Sequence, residues 1–244
     1  MIAGLYECFN HWHEKGTVYV ISDLHFGDKE LAAGLPSRPT DEQLVNIINS
    51  TVGKSDTLIV LGDCGDPEYV SKLKGYKILI AGNHDKGLSN YKRDSVTVKY
   101  NSEKWTKQTL LKYHREHFPN QKITIEEGYD FHYPFDFWSV TVDNNLFNEV
   151  YGGPLIIGEK LILSHEPVDV PWAMNLHGHI HSKNHKNDER HYNCCADVIN
   201  YKPINFNQFM KQGYLADIET IHRDTINTAT KRKRKREKKN GIFC

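Results

Sequence analysis

The chain has 244 residues, of which 39% are hydrophobic and 25% charged, values ordinary for one globular domain that carries an insertion. No apolar run is long enough to span a bilayer, the first ten residues lack a secretory signal, and the five cysteines form no CxxC pair. These features favour a soluble, cytoplasmic protein without membrane contact. The net charge is zero, but residues 231–239 include eight basic residues and one acidic residue, so the remainder is acidic.

Four short apolar runs, each followed by Gly or Ser, predict buried strands at residues 17–21, 57–61, 77–81 and 160–163. Continuous apolar runs of this kind suit a sheet that is covered on both faces. Helix start signals lie between the strands: a capping box runs from Thr40 to Gln43, and Pro67 follows the capping residue Asp66. This alternation of strands and helices predicts an α/β fold.

Residues 87–149 interrupt the alternation and are predicted to form an insertion, with a helix at 102–117 and strands at 122–126 and 138–142. The insertion is rich in aromatic rings, which either line a substrate cleft or, as we prefer, pack as a small core: Tyr129, Phe131, His132, Tyr133, Phe135, Phe137 and Trp138.

The remaining elements predicted are a hairpin at residues 155–163, a strand at 192–199 and a C-terminal helix over 215–229 that runs into the basic tail. We therefore expect one domain, residues 1–227, followed by a basic C-terminal tail, residues 228–244.

Each apolar strand is followed directly by side chains of the types that bind metal ions. They are Asp23 and His25, then Asp63, then Asn83, His84 and Asp85, and then His165. A fifth segment, residues 177–181, has histidines at alternate positions. Because ligands of open α/β sheets bind at the carboxyl ends of the strands, these side chains are expected to converge on one crevice. One such signal alone is more often structural, whereas five in order indicate a site.

The five segments resemble the ordered motifs of the calcineurin-like metallophosphoesterase superfamily, here Asp23-Leu24-His25, Gly62-Asp63, Gly82-Asn83-His84-Asp85, His165 and Gly178-His179-Ile180-His181. The resemblance covers residues 17–85 and 160–199 and leaves the insertion and the tail outside. It implies a sandwich of two mixed β-sheets flanked by helices, with an inserted subregion and a C-terminal helix that leads into the basic tail.

The resemblance also implies a set of metal ligands. A first ion would be held by Asp23, His25, Asp63 and His181, and a second by Asp63, Asn83, His165 and His179. Imidazole and carboxylate ligands suit divalent transition metals, of which we prefer Mn, with Fe, Zn or Ni as alternatives.

The chemistry implied is in-line attack on a phosphate ester by a hydroxide that bridges the two ions. His84 is implied as the general acid or as a stabiliser of transition-state charge. Asp85 is expected to orient His84, with a cap on a helix or turn as the alternative.

Four further residues are considered beside these motifs. Arg38 is a candidate for binding the substrate phosphate, with a surface arginine as the alternative. Asp28 either supports a ligand histidine or lies in an exposed turn. Cys194 and Cys195 adjoin a strand and are predicted to lie in the core, outside the site.

The function predicted is metal-dependent hydrolysis of a phosphomonoester or a small phosphodiester, with nucleotides among the candidate substrates. One alternative is a nuclease acting on DNA or RNA, because the basic tail would hold a nucleic-acid backbone. Another is a non-catalytic, partner-binding protein of the same fold. The motifs specify neither the natural substrate nor the oligomeric state.

Overall fold

The computed structural model describes residues 5–14, 16–85, 96–117, 121–129, 136–143, 145–181 and 187–239. The strands are, in chain order, β1 (Val18–Ile21), β2 (Thr57–Val60), β3 (Tyr76–Ile80), β4 (Val96–Asn101), β5 (Lys122–Gly128), β6 (Phe137–Asp143), β7 (Glu149–Tyr151), β8 (Leu155–Gly158), β9 (Leu161–Leu163), β10 (Met174–His177), β11 (His191–Asn193) and β12 (Ile204–Asn205). The helices are α1 (Lys29–Gly34), α2 (Asp41–Thr51), α3 (Pro67–Ser71), α4 (Lys107–His117), α5 (Phe206–Lys211) and α6 (Ile221–Lys239), and a 3₁₀ helix precedes β1 at Glu7–His13.

Two mixed sheets build the main body. The first has the order β12-β1-β2-β3-β7, in which β1, β2, β3 and β7 are parallel and β12 is antiparallel at the edge. The second has the order β11-β10-β9-β8, in which only β8 is antiparallel. Together with the flanking helices they confirm the predicted α/β sandwich of two mixed sheets.

The central strands are largely apolar because both faces of the first sheet are covered. Along β2 and just beyond it, Ile59 and Leu61 face the core shared with the second sheet. Leu58 and Val60 face the opposite core, under α2 and α3. The capping box at Thr40 and the start of α3 at Pro67 are as predicted.

The described part of the insertion forms a separate antiparallel sheet, with the order β4-β6-β5, on which α4 packs. Trp138 contacts this small core, as the preferred packing interpretation requires, whereas the Tyr129 side chain is 70% exposed. Phe137 is buried, and the other four rings of that prediction, Phe131, His132, Tyr133 and Phe135, lie outside the described residues. The chain returns from the insertion into β7, the neighbour of β3 in the first sheet.

Three boundaries differ from the prediction by more than two residues. Helix α4 begins at Lys107, not at residue 102, because Asn101–Trp105 form a turn and Thr106 accepts a hydrogen bond from Thr109 N. Strand β11 ends at Asn193 and not at residue 199. Helix α6 begins at Ile221, not at residue 215, and extends into the basic tail as predicted. Within the described part of the chain, no helix has the length and apolar character needed to cross a membrane.

Candidate metal centre

The ends of five strands position the candidate ligands at one edge of the sandwich. Asp23 and His25 follow β1, Asp63 follows β2, and Asn83 follows β3 in the first sheet; His165 follows β9, and His179 and His181 follow β10 in the second. The structure brings all seven side chains together in two groups of donor atoms.

The first group contains Asp23, His25 and His181. The Nε2 atoms of His25 and His181 lie 3.2 Å apart, and His181 Nε2 lies 3.4 Å from Asp23 Oδ1. Asp23 Oδ1 is buried and has no hydrogen-bond partner. A buried carboxylate oxygen without a donor is costly unless a cation meets it, so this atom fits a metal ligand.

The second group contains Asn83, His165 and His179, with Asp63 beside them. Asn83 Oδ1 lies 2.8 Å from His165 Nε2 and 3.1 Å from His179 Nδ1, and these two nitrogens are 3.1 Å apart. Ligand atoms that share one transition-metal ion at about 2.0–2.2 Å are themselves about 3 to 3.5 Å apart. The donor set therefore fits a single ion of that size.

Asp63 joins the two groups. Its Oδ2 lies 3.6 Å from His25 Nε2 in the first group and 3.3 Å from His165 Nε2 in the second. The other oxygen accepts a hydrogen bond from the His84 backbone N–H at 2.9 Å. One carboxylate oxygen thus faces both groups, as a bridging ligand must.

The backbone of this region is strained at the ligands themselves. Positive φ angles occur at Asp23 (56°), His25 (43°), Asp63 (53°) and His179 (68°). Such angles cost about 1 kcal/mol or more each in non-glycine residues and are concentrated at functional sites. Hydrogen bonds between the loops hold them: Asp23 N donates to Gly62 O at 3.0 Å, and His25 N donates to Asp63 O at 2.9 Å.

Two glycines allow the ligand loops to approach closely. A Cβ atom at Gly178 would overlap Ser22 and Asp23, and one at Gly82 would overlap Asp63. Without a side chain at Gly178, the His179 backbone N–H can donate to Asp23 Oδ2 at 2.9 Å, which links the two sheets at the centre.

Two ligand histidines have a partner on the nitrogen that faces away from the donor groups. His165 Nδ1 donates to the Leu61 carbonyl at 2.8 Å, and His181 Nδ1 lies 3.1 Å from Asp197 Oδ1. A proton held at Nδ1 leaves the Nε2 lone pair for a metal ion, and partners of this kind normally accompany metal-binding histidines. Asp197 was not among the site residues predicted from the sequence.

Asp28 supports a ligand histidine, one of the two roles considered for it, and is half-buried at the start of α1, not in an exposed turn. Its Oδ1 caps α1 by accepting from the backbone N–H groups of Glu30 and Leu31 at 3.0 and 2.9 Å. Its Oδ2 lies 3.5 Å from His25 Nδ1. The cap fixes the carboxylate where it can hold the His25 ring, so both histidines of the first group have a carboxylate behind them.

The electrostatic balance keeps the acidic ligands ionised. Burial opposes ionisation of Asp23, but the nearby imidazole rings of His181 and His25 outweigh it and hold the Asp23 pKa well below its usual range. Burial is likewise outweighed at Asp63, whose pKa is lowered chiefly by His165. Asp197 and Asp23 raise the pKa of His181 to about 10, so a metal ion binding there must displace a proton.

We expect Asp197→Asn to weaken metal binding by about 10- to 100-fold, because the His181 ring loses the carboxylate that orients it. Equilibrium dialysis of the metal-stripped protein against Mn²⁺ measures this affinity without reference to turnover. The matched control is Asp217→Asn, at an exposed aspartate outside the centre. Equal affinity in the two variants would show that Asp197 does not support the ligand.

His84 and Asp85 differ in exposure and in contacts. The His84 side chain is exposed, and its ring makes an edge contact with the His25 ring, with centroids 5.4 Å apart. Asp85 is buried; its Oδ2 accepts from Asp63 N and Gly82 N, both at 2.8 Å, and its Oδ1 accepts from Cys64 N at 3.1 Å. Asp85 therefore acts as a turn cap that fixes the Asp63 loop, the alternative considered for it.

The structure corrects the prediction for Arg38. Its side chain is only 5% exposed, and Nη2 donates to Leu24 O at 2.9 Å, to His25 O at 3.2 Å and to Asp41 Oδ1 at 2.8 Å. The guanidinium is neither on the surface nor directed to a substrate phosphate. It satisfies carbonyl groups of the first ligand loop and so holds that loop against the start of α2.

Cys195 is in the core, as predicted, but also contacts the centre. Its thiol lies 3.1 Å from Asp23 Oδ2, and the side chain is fully buried. The nearby Asp23 carboxylate adds to burial in raising the Cys195 pKa, so the thiol stays protonated and donates to Asp23. Cys195 therefore helps to position a ligand carboxylate.

Comparison with known proteins identifies the family of the chain. The profile of the calcineurin-like phosphoesterase family matches residues 16–199. Among solved structures, the chain is similar to AQ665, a protein of unknown function from Aquifex aeolicus, with 21% identity over 80% of this chain and 98% of that chain and a TM-score of 0.47. No curated protein matches the sequence. Because the family match spans most of the chain and includes all seven candidate ligands, the chain belongs to the calcineurin-like phosphoesterase family.

Proposed function

We propose that this protein hydrolyses a phosphomonoester or a small phosphodiester, with nucleotides among the candidate substrates. The observation that carries the proposal is the pair of donor groups that share Asp63 at the carboxyl ends of the strands. Donor groups arranged in this way suit the two-metal hydrolysis of phosphate esters.

The residues fit two divalent transition-metal ions, for which we prefer Mn, with Fe, Zn or Ni as alternatives. Asp23, His25, Asp63 and His181 would hold the first ion, and Asp63, Asn83, His165 and His179 the second. When bound, such ions supply Lewis-acid stabilisation of the phosphoryl oxygens and lower the pKa of a nucleophilic water.

The chain itself provides an open side for the substrate. Asn83, His84 and His179 are exposed, whereas Asp23, His25 and Asp63 are buried beneath them. A phosphate ester can therefore approach the second group from the solvent side. The buried carboxylates of Asp23 and Asp63 lie on the opposite side of the donor atoms.

His84 lies at this open side, where it would assist the leaving group. Water attacks phosphorus in line with the ester oxygen and gives up a proton to the solvent. The ester P–O bond breaks, and the leaving oxygen takes a ring proton from His84, which regains one from the solvent. The ring can serve in this way because its backbone is anchored: the His84 N–H donates to Asp63, and Asp85 holds the adjoining loop. We assign Asp85 a positioning role and no direct contact with substrate.

Two alternative functions can be distinguished from the proposed one by the substrates that the protein hydrolyses. A nuclease is favoured by one observation, the eight basic residues that end α6. A non-catalytic, partner-binding function is less consistent with a chain that has His84 and all of the candidate ligands.

The test uses metal-stripped protein with Mn²⁺ added back and four kinds of substrate: p-nitrophenyl phosphate, bis-p-nitrophenyl phosphate, cyclic nucleotides and short single-stranded DNA. We expect Mn²⁺-dependent turnover of a monoester or small diester that a chelator abolishes. Preferential, salt-sensitive cleavage of the DNA would replace our proposal with the nuclease. No turnover of any substrate by protein that has bound Mn²⁺ would favour the non-catalytic function.

A further inference from the structure

The last turns of α6 form the most strongly charged surface of the chain. We call residues 231–239 the basic segment. Of the 31 basic and 31 acidic residues, it contains eight basic and one acidic, so the rest of the chain has seven more acidic than basic residues. The side chains of residues 231–235 are exposed, and no ion pair joins any of them to another described residue. These charges are therefore available to an external partner.

The helix sets the spacing of these charges. Nine helical residues rise about 13 Å, which gives the basic segment roughly one net positive charge for each 2 Å of its length. Duplex nucleic acid carries one negative charge for each 1.7 Å or so of its axis. The two charge densities are similar, so a phosphate backbone can neutralise the segment along its whole length.

The segment lacks the apolar face that a helix needs to lie on a membrane. From residue 227 to residue 239 the one apolar side chain is that of Ala229, and the exposed Ile221 and Ile226 come before this part of α6. Helices that bind at lipid surfaces combine a basic face with large apolar side chains on the other face. The composition therefore favours a polyanion in water over a lipid surface.

The positive charges of the basic segment repel one another, and a negatively charged partner would reduce this repulsion. Like charges three and four residues apart destabilise a helix, and here Lys231 is followed at those distances by Arg234 and Lys235. Phosphates bound along the helix would remove this repulsion. Three of the eight cations are arginines, whose planar guanidinium groups match phosphate oxygens in pairs.

We propose that the basic segment of α6 binds the phosphate backbone of nucleic acid without sequence preference. Base-specific recognition is not part of the proposal, because the segment has no Asn or Gln to pair with base edges and no aromatic ring to stack on them. The proposal is independent of hydrolysis at the metal centre and can be tested with that centre emptied.

The experiment measures fluorescence anisotropy of labelled duplexes of about 20 base pairs, one of DNA and one of RNA, with the full chain in excess EDTA. In the test variant, Lys231, Arg232, Lys233, Arg234 and Lys235 are all changed to Gln, which keeps helix propensity while removing five charges. The matched control changes five exposed lysines of the body to Gln: Lys54, Lys104, Lys107, Lys112 and Lys122.

If five of the cations contact phosphates, raising the salt from about 50 to about 200 mM should weaken wild-type binding by about 500-fold or more. The tail variant should lose most of this salt dependence and bind at least about 30-fold more weakly at low salt, while the control stays within about twofold of wild type. The duplex that binds more tightly shows whether DNA or RNA is the preferred ligand. A preference for either duplex supports the proposal. Unchanged affinity of the tail variant would overturn it, as would tighter binding to phosphatidylserine vesicles than to both duplexes.

Discussion

We expect Asp63→Ala to lower turnover by at least about 1,000-fold and to weaken binding of both metal ions, because several kcal/mol of transition-state stabilisation depend on those ions. The reason is geometric: Asp63 Oδ2 is 3.6 Å from His25 Nε2 and 3.3 Å from His165 Nε2, so one side chain serves both donor groups. Removal of any other ligand leaves one group complete. Metal content after dialysis and kcat/KM for the preferred substrate measure the two effects.

The control for Asp63→Ala is Asp217→Ala, which removes an exposed carboxylate outside the centre. Thermal unfolding of both variants shows whether the protein still folds. A folded Asp63→Ala variant that kept both ions, or kept its turnover within tenfold of wild type, would contradict the bridging role.

The second large effect is expected for His84→Ala, which should slow turnover by about 100- to 10,000-fold while leaving the metal content unchanged. The backbone N–H of residue 84 still donates to Asp63 in this variant, so the centre keeps its shape. If His84 supplies a proton to the leaving oxygen, the loss should be smaller for p-nitrophenyl phosphate than for an alkyl phosphate, because p-nitrophenolate leaves without much help.

The matched control is His222→Ala, at an exposed histidine of α6. An equal loss on both substrates would assign His84 to charge stabilisation and not to proton transfer. An unchanged rate on both would remove His84 from the mechanism.

The sequence predicts the centre of the fold well because two constraints act there together. Strands such as β2 are buried on both faces and must be largely apolar, which makes them recognisable as short Val, Ile and Leu runs. Their carboxyl ends then meet at one edge, so the residue that follows each run can be assigned to a common crevice. The convergence of the candidate ligands follows from these two facts.

Asp197 shows how one boundary error hides a site residue. The sequence predicts a strand over residues 192–199, which places Asp197 inside the strand. In the structure β11 ends at Asn193, and the next residues turn at the carboxyl edge, where Asp197 reaches His181. Polar residues that follow the end of a strand were assigned to the crevice. With the strand ending at Asn193, Asp197 would have been assigned to the crevice as well.

Arg38 could not be placed from its neighbours in the sequence. An arginine between Ser37 and Pro39 looks exposed, and its burial depends on carbonyl groups of Leu24 and His25 that only tertiary structure brings near. Tertiary contacts of this range leave no periodic signal in a single sequence. Strand β4, in contrast, was missed although Val96, Val98 and Tyr100 alternate with polar residues, the pattern typical of a strand.

The most direct test of a shared two-ion centre is a titration of metal-stripped wild-type protein with Mn²⁺, in which bound metal and turnover are measured on the same samples. We predict saturation at two ions per chain, with turnover that reaches its plateau only as the second ion binds. Saturation at a single ion with full turnover, or turnover that persists without metal, would contradict a centre built on two donor groups joined by Asp63.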